Sequence, residues 1–157
     1  MKKGSGFTLI ELAITVAIVA LLSTMALPLV QLTVQRVKEQ ELKAALREIR
    51  SGLDAYKLAS DQGRVQTEAD ASGYPPTLEA LVEGVEDARD PEAAKIYFLR
   101  RVPRDPFFPD GSVPAAQTWG LRSYQSPPED PQAGDDVYDV HSLSAGTALD
   151  GSLYRDW

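Results

Sequence analysis

A single carboxylate, Glu11, stands at the entrance of a long apolar segment. The nineteen residues that follow it, 12–30, carry no charge. A charge at the centre of a bilayer costs roughly 2.5–3.5 kcal/mol even on mild insertion scales, and a buried charge generally has a partner. The nearest candidate partner is an amine that cleavage of the chain after Gly6 would create. Such a cut would let the carboxylate pair with a new N-terminal ammonium.

The other reactive side chains form no active site in the sequence. Cysteine is absent, which excludes disulfides, thiolate metal sites and thiol nucleophiles. His141 is the only histidine and falls in a strand pattern, so we expect a structural role for it. Asp135, Asp136 and Asp139 could mimic a catalytic carboxylate pair, but the neighbouring Gly134 favours a solvated turn. With no phosphate-binding glycine loop and no nucleophile elbow, the protein is predicted not to be an enzyme.

Length and charge limit the remaining possibilities. The chain has 157 residues, of which 43% are apolar, and its net charge is −7. An N-terminal helix leaves room for one globular domain of about 100 residues. The positive charges concentrate towards the N-terminus and the negative charges in the later part. Nucleic acid is a poor partner for so acidic a surface.

The apolar segment is predicted to cross a membrane. As a helix, its nineteen residues would extend ~28 Å, close to the hydrocarbon thickness of a bilayer. A secretory signal peptide is the alternative, but its apolar core has about 7–15 residues and contains no carboxylate. Lys2 and Lys3 place the short N-terminus in the cytoplasm by the positive-inside rule. We therefore expect a single-pass membrane protein whose later residues face outward, into a periplasm or its equivalent.

Pro28 lies inside the apolar segment. Proline removes one helical hydrogen bond and bends or loosens a helix. The sequence therefore predicts a kink at Pro28. The alternative is a membrane proline that packing tolerates without consequence.

The helical pattern continues beyond the apolar segment as an amphipathic stripe. Apolar residues recur at three- and four-residue spacing: Val34, Val37, Leu42, Ala45, Leu46, Ile49, Leu53 and Tyr56. Charged residues fill the other faces, and Glu39 and Lys43 have the favourable i,i+4 orientation of a surface ion pair. One helix is predicted from Phe7 to about Ala59, with a membrane and assembly half at 7–32 and an amphipathic half at 33–60. Gly52 is a weak point within it.

Residues 61–157 are predicted to form a globular head. Thr77 suits the N-cap of a short helix over 78–83, which Gly84 would stop. Strands are predicted at 96–99, 119–125 and 137–143. Three antiparallel strands packed on the amphipathic half of the long helix make an α+β fold.

The N-terminus resembles the class III signal of the type IV pilin and pseudopilin superfamily. The resemblance rests on the basic leader that ends in Gly6 and on the run Phe7-Thr8-Leu9-Ile10-Glu11 that follows it. It implies a pilin-like fold, and a leader, residues 1–6, that prepilin peptidase cuts off between Gly6 and Phe7. It also implies methylation of the new Phe7 amine, a role for Glu11 in assembly and a kink at Pro28.

The head is most similar to the major pseudopilin, the G type, of type II secretion systems. The shared motifs are a Tyr-Pro loop at 74–75, a Pro-x-Asp-Pro step at 103–106, a Trp-Gly pair at 119–120 and a last strand at 138–143. About twelve residues here separate the second and third of these motifs, which are normally adjacent.

The C-terminal loop departs from that family, in which the last strand opens into a calcium-binding loop. Leu143 matches the family's carbonyl ligand, Gly146 replaces its first aspartate, and Asp150 and Asp156 remain nearby. A calcium ion needs six to eight oxygens, including carboxylates, so we expect no metal or other cofactor. Leu143, Asp150 and Asp156 are the candidate ligands if calcium binds. The structural alternative is that Asp150 caps a turn while three apolar side chains pin the segment to the head: Leu149, Tyr154 and Trp157.

The main hypothesis is a pseudopilin-like structural subunit of a type II secretion filament in the periplasm, polymerised to drive protein export. Glu11 of one subunit would pair with the Phe7 ammonium of the next, an attraction of about 4 kcal/mol at 4 Å and an effective dielectric constant near 20. The implied partners are prepilin peptidase, other copies of the chain, minor pseudopilins, the inner-membrane assembly platform and the membrane.

Two alternatives stay open. The first is a minor type IV pilin or a competence pseudopilin, which neighbouring genes would distinguish. The second, from another class, is a membrane-anchored binding protein that never polymerises. Retention of the leader on the mature chain would favour the second.

Overall fold

The structure is a computed structural model that describes residues 8–68 and 70–157, with the side chains of 24–29 left out. The predicted leader, residues 1–6, and Phe7 lie outside the described residues. The chain divides into two compact units, Met1–Val37 and Lys38–Trp157. Each unit is described by itself.

A single long helix, α1, spans Leu9–Asp61 and contributes to both units. This confirms the long N-terminal helix that the periodicity predicts. Position 28 lies within α1, but its side chain is outside the described set, so the kink at Pro28 stays a prediction. Across the part of the chain that the structure describes, no helix combines the length and the apolar character that crossing a membrane demands. Positions 24–29 of the predicted membrane segment fall outside the residues whose side chains are described.

In the second unit, one face of α1 forms one side of the hydrophobic core. Its buried residues recur every three or four positions, as the amphipathic stripe predicts: Leu42, Ala45, Leu46, Ile49, Leu53, Tyr56 and Ala59. Val34 and Val37, which belong to the same sequence pattern, are exposed. Gly52 has a packing role, because a Cβ there would lie 2.9 Å from Cγ of Leu99. The absence of a side chain lets Leu99 approach the helix.

The rest of the second unit covers that face with short elements. Helix α2 spans Ala80–Glu83 and begins two residues later than predicted, although Thr77 Oγ1 still accepts a hydrogen bond from the Ala80 N–H at 3.4 Å. Four short strands follow among the described residues: β1 Val85–Glu86, β2 Lys95–Ile96, β3 Trp119–Arg122 and β4 Asp139–Ser142. A long helix with small antiparallel sheets confirms the α+β, pilin-like fold class.

The sheet topology differs from the expected three strands. The described residues form two separate antiparallel pairs, with Val85 opposite Ile96 in one and Trp119 opposite Ser142 in the other. The predicted strand at 96–99 is cut short because the N–H groups of residues 98 and 99 donate to the carbonyl of Leu81. The strand predicted at 119–125 ends early because the Asp136 carboxylate accepts the N–H of residue 124. Side-chain and loop contacts thus replace the longer ladder.

A buried carboxylate ties the loop before β3 to the sheet. Asp105 is 1% exposed, and its two oxygens accept hydrogen bonds from the Ser142 hydroxyl at 2.6 Å and from the Phe107 N–H at 2.7 Å. Its own N–H donates to Thr118 Oγ1 at 3.1 Å. Hydrogen bonds to a charged group each contribute about 1.5–3 kcal/mol, and a partner left unsatisfied in the interior is costly.

Replacing this carboxylate should therefore destabilise the head. Asp105→Ala is expected to lower the free energy of unfolding by about 2–3 kcal/mol, because it strands the Ser142 hydroxyl and the Phe107 N–H. Chemical unfolding of the full chain in detergent, followed by near-ultraviolet circular dichroism, measures the loss. Asp135→Ala, at an exposed position, is the matched control. Equal stability of the two variants would contradict the role of Asp105.

Candidate processing and assembly site

Glu11 and Thr8 form the start of helix α1. The Glu11 N–H donates to Thr8 Oγ1 at 3.3 Å, and the Thr8 N–H donates to Glu11 Oε2 at 3.5 Å. This reciprocal pattern is a capping box, in which a hydroxyl at the N-cap and a carboxylate three residues later satisfy orphan N–H groups. Both contacts are long for hydrogen bonds. Glu11 therefore supports the helix start in the single chain through weak contacts that leave its carboxylate exposed.

This cap was not among the features predicted from the sequence. The signal was present, because Thr8-x-x-Glu11 before an apolar run is the capping-box pattern. A carboxylate near a helix N-terminus also interacts favourably with the helix dipole. Glu11 thus has a local structural role in addition to the predicted role in assembly.

The helix surface around Glu11 is apolar on every side. The large apolar side chains of its first four turns are between 52% and 86% exposed: Leu9, Ile10, Leu12, Ile14, Val16, Ile18, Val19, Leu21 and Leu22. Successive helical positions are 100° apart, so these side chains point in all directions around the axis. A helix that is apolar all round belongs in a membrane or inside a larger assembly. The described residues leave this apolar surface uncovered.

The polar side chains on this surface are satisfied within the helix. The Thr15 hydroxyl donates to the carbonyl of Leu12, and the Ser23 hydroxyl donates to the carbonyl of Val19, each at 2.8 Å. Hydroxyls that bond back to the preceding turn need no water. Glu11 is thus the one charged side chain on the helix between Leu9 and Ser23.

The predicted processing residues are not part of the described structure. Gly6 and Phe7, the cleavage and methylation site, lie outside the described residues. The position of Glu11 is therefore described, whereas that of its predicted partner, the Phe7 amine, is not.

The residues weighed for catalysis have separate hydrogen-bond partners, although Asp139 and His141 share strand β4. The carboxylate of Asp136 accepts the Tyr124 N–H, whereas Asp139 accepts from Arg50 Nε at 2.8 Å. Asp135 is exposed. His141 lies in β4, and its burial is the largest influence that lowers its pKa.

The three candidate calcium ligands have different surroundings in the structure. Leu143 is exposed just after β4. Asp150 Oδ1 accepts from the N–H and the hydroxyl of Ser152 at 2.9 and 2.6 Å, which holds the pKa of Asp150 below its usual value. Asp156 Oδ1 lies 3.6 Å from Arg155 Nε. Within the described residues, no group of three or more histidine, cysteine or acidic side chains could hold a metal ion.

Comparison with known proteins decides the family. A family model of the prokaryotic N-terminal methylation motif matches residues 1–27. The type II secretion system core protein G of Pseudomonas aeruginosa is 32% identical over 110 residues, which cover 68% of this chain and 70% of that protein. The chain belongs to the core protein G family of type II secretion systems.

Two further members of the core protein G family support the assignment. The Klebsiella pneumoniae protein is 27% identical over 145 residues, 87% of this chain and 94% of its own length. The Vibrio cholerae protein is 27% identical over 110 residues, 68% of each chain. No solved structure gives a significant match. The predicted resemblance to the major pseudopilin is confirmed, and the chain is a pseudopilin structural subunit.

Burial of His141 makes the stability of the head depend on pH. Burial and the nearby Arg50 lower the pKa of His141 from 6.5, while Asp139 acts in the opposite direction. Between the lowered pKa and 6.5, the unfolded chain binds a proton that the folded chain does not. The contribution of neutral His141 to stability is thus complete above pH 6.5 and is lost as the pH falls through the folded-state pKa. Thermal unfolding between neutral pH and about pH 5 should show a falling midpoint that is shallower in His141→Asn. Parallel curves for the two proteins would contradict this.

Proposed function

We propose that this pseudopilin is a subunit of a type II secretion filament that is anchored in the bacterial inner membrane before assembly and extends into the periplasm. The observation that carries the proposal is the apolar surface of the first turns of α1, which is exposed on all sides and bears one carboxylate. None of the residues that the structure describes covers it. A lipid bilayer before assembly and neighbouring copies after it are covers of the right chemistry.

Processing would prepare the chain for assembly. The match to the methylation motif over residues 1–27 supports cleavage between Gly6 and Phe7 by prepilin peptidase, followed by methylation of the Phe7 amine. Cleavage removes Lys2 and Lys3 and creates an ammonium at the end of the apolar helix. That group brings a positive charge within reach of the carboxylates of adjacent subunits.

Glu11 is suited to receive that charge. In the single chain its carboxylate is exposed, and its contacts to Thr8 are long, 3.3 and 3.5 Å, so little is lost when it turns to another donor. An ammonium at 4 Å gains about 4 kcal/mol at an effective dielectric constant near 20. That attraction offsets part of the cost of removing both charges from water. Apolar contacts would supply adhesion between helices, and the ion pair would select their axial stagger.

The partners of this function follow from the same surfaces. Other copies of the chain and minor pseudopilins would pack against α1, and the inner-membrane assembly platform would add subunits from the bilayer. Lys2 and Lys3 favour a cytoplasmic N-terminus with the acidic head on the periplasmic side. The relatives are structural pseudopilins, which favours a protein that acts by assembly and performs no catalysis.

Variants at the cap can separate charge from helix capping. Glu11→Gln retains a side chain that a capping box accepts but removes the charge. We expect it to be inserted and processed normally and to form no filaments, and we expect the same of Glu11→Val. Filaments are measured by sedimentation and negative-stain microscopy, and processing by the intact mass of the chain.

Thr8→Ala is the matched control, since it removes the hydroxyl of the cap and keeps the carboxylate. It should still assemble. Normal filaments from Glu11→Gln together with failure of Thr8→Ala would show that Glu11 acts only as a cap. A mature chain that keeps residues 1–6 would contradict the processing step.

A further inference from the structure

Residues 146–157 are fastened to one face of helix α1. Glu39, Lys43 and Arg50 project from nearly the same side of the helix, because they are separated by four and seven residues. Each contacts this segment through a different group. Together with Tyr154 and Trp157, these three side chains are called the C-terminal clasp below.

Glu39 holds the segment at two points. Its Oε1 atom accepts hydrogen bonds from the Leu149 N–H and from the Tyr154 hydroxyl, both at 2.9 Å. Bonds to a carboxylate are roughly twice as strong as those between neutral groups. The Tyr154 ring is 2% exposed and stacks on Phe107 with a centroid distance of 4.1 Å. Glu39 thus anchors a side chain of the hydrophobic core.

Lys43 and Arg50 hold the segment at Trp157. Lys43 Nζ lies 4.1 Å from the centroid of the Trp157 ring, a cation–π contact. Arg50 Nη2 donates to the main-chain oxygen of Trp157 at 2.8 Å and to that of Val140 at 3.1 Å. The indole N–H of Trp157 in turn donates to the Ser152 hydroxyl at 2.7 Å. The segment is therefore linked to α1 and to itself.

The donor set of this segment does not fit a bound calcium ion. Gly146 offers no side-chain oxygen, and a Cβ at that position would lie 3.0 Å from the Tyr154 ring. The space into which a larger side chain would extend is occupied by the ring that Glu39 anchors. Asp150 is committed to Ser152, and Asp156 lies beside Arg155. Calcium requires six to eight oxygens, including carboxylates that face a common centre.

We propose that the C-terminal clasp fixes residues 146–157 on the head without a bound cation. The hydrogen bond between Tyr154 and Glu39 would do what a metal ion does in a calcium-binding loop, which is to hold the segment in place. The contacts that fix the segment come from α1, so its order depends on the helix and on no ion in the surrounding medium. The subunit would consequently fold equally well in calcium-poor and calcium-rich surroundings.

The first test compares the full chain in detergent with excess calcium and with excess chelator. We expect the same thermal midpoint in both, read by near-ultraviolet circular dichroism, and no heat of binding in a calcium titration. A midpoint that rises with calcium by on the order of 4 °C or more, and that Asp150→Asn makes insensitive to calcium, would overturn the proposal.

The second test addresses the clasp itself. Glu39→Ala should lower the midpoint by on the order of 4 °C, whereas Glu41→Ala, at an exposed position two residues along the same helix, should leave it unchanged. Tyr154→Phe removes only the hydroxyl and should lower the midpoint in the wild-type background but not in Glu39→Ala, because the two side chains act through one hydrogen bond. Equal effects of the two alanine variants, or full additivity of the Glu39 and Tyr154 changes, would contradict the clasp.

Discussion

The rest of the structure depends on one constraint, which is that the first turns of α1 present apolar side chains in every direction and a single carboxylate among them. Water is a poor solvent for such a surface, and none of the described residues covers it. A bilayer can cover the apolar side chains but not the charge without cost, whereas neighbouring copies with a liberated amine can cover both. The roles proposed for Gly6, Phe7 and Glu11 follow from that constraint, and membership of the core protein G family agrees with the proposal.

In the second unit the same helix has a different pattern of apolar residues. There α1 is apolar on one face only, and the head buries that face under short strands, loops and a four-residue helix. Because the head contains so little regular structure, its loops have to be held by polar contacts. Those contacts come from Asp105, the Arg50–Asp139 pair and the C-terminal clasp. The order of the head therefore comes from charged side chains that reach loop main chain as much as from its two small sheets.

The sequence predicted the long helix and the fold class because a periodic apolar pattern over many turns is a strong local signal. A lone charge in an apolar run is also conspicuous and led to Glu11, whose role in assembly stays a prediction. The sequence did not predict the extent of the strands. The Asp136 carboxylate accepts the Tyr124 N–H, which would have paired with a neighbouring strand if β3 were longer. Glu39 and Lys43 suggested a surface ion pair, and nothing in the sequence indicated that both contact the C-terminal segment. Such contacts join residues more than a hundred positions apart, which periodicity cannot show. The cap by Thr8, by contrast, was readable from its spacing.

Crosslinking in the native envelope tests the central claim, that copies of this chain cover each other's apolar helices, most directly. The chain contains no cysteine, so a single cysteine introduced at Ile14 reports on that surface alone, and one at Asp135 serves as the control on the exposed part of the head. If copies pack with the proposed stagger, a bifunctional thiol-reactive crosslinker long enough to span it should link copies of the Ile14 variant, and the linked copies should disappear when Glu11 is also replaced by Gln. Only single chains from the Ile14 variant, with the leader still attached, would contradict it.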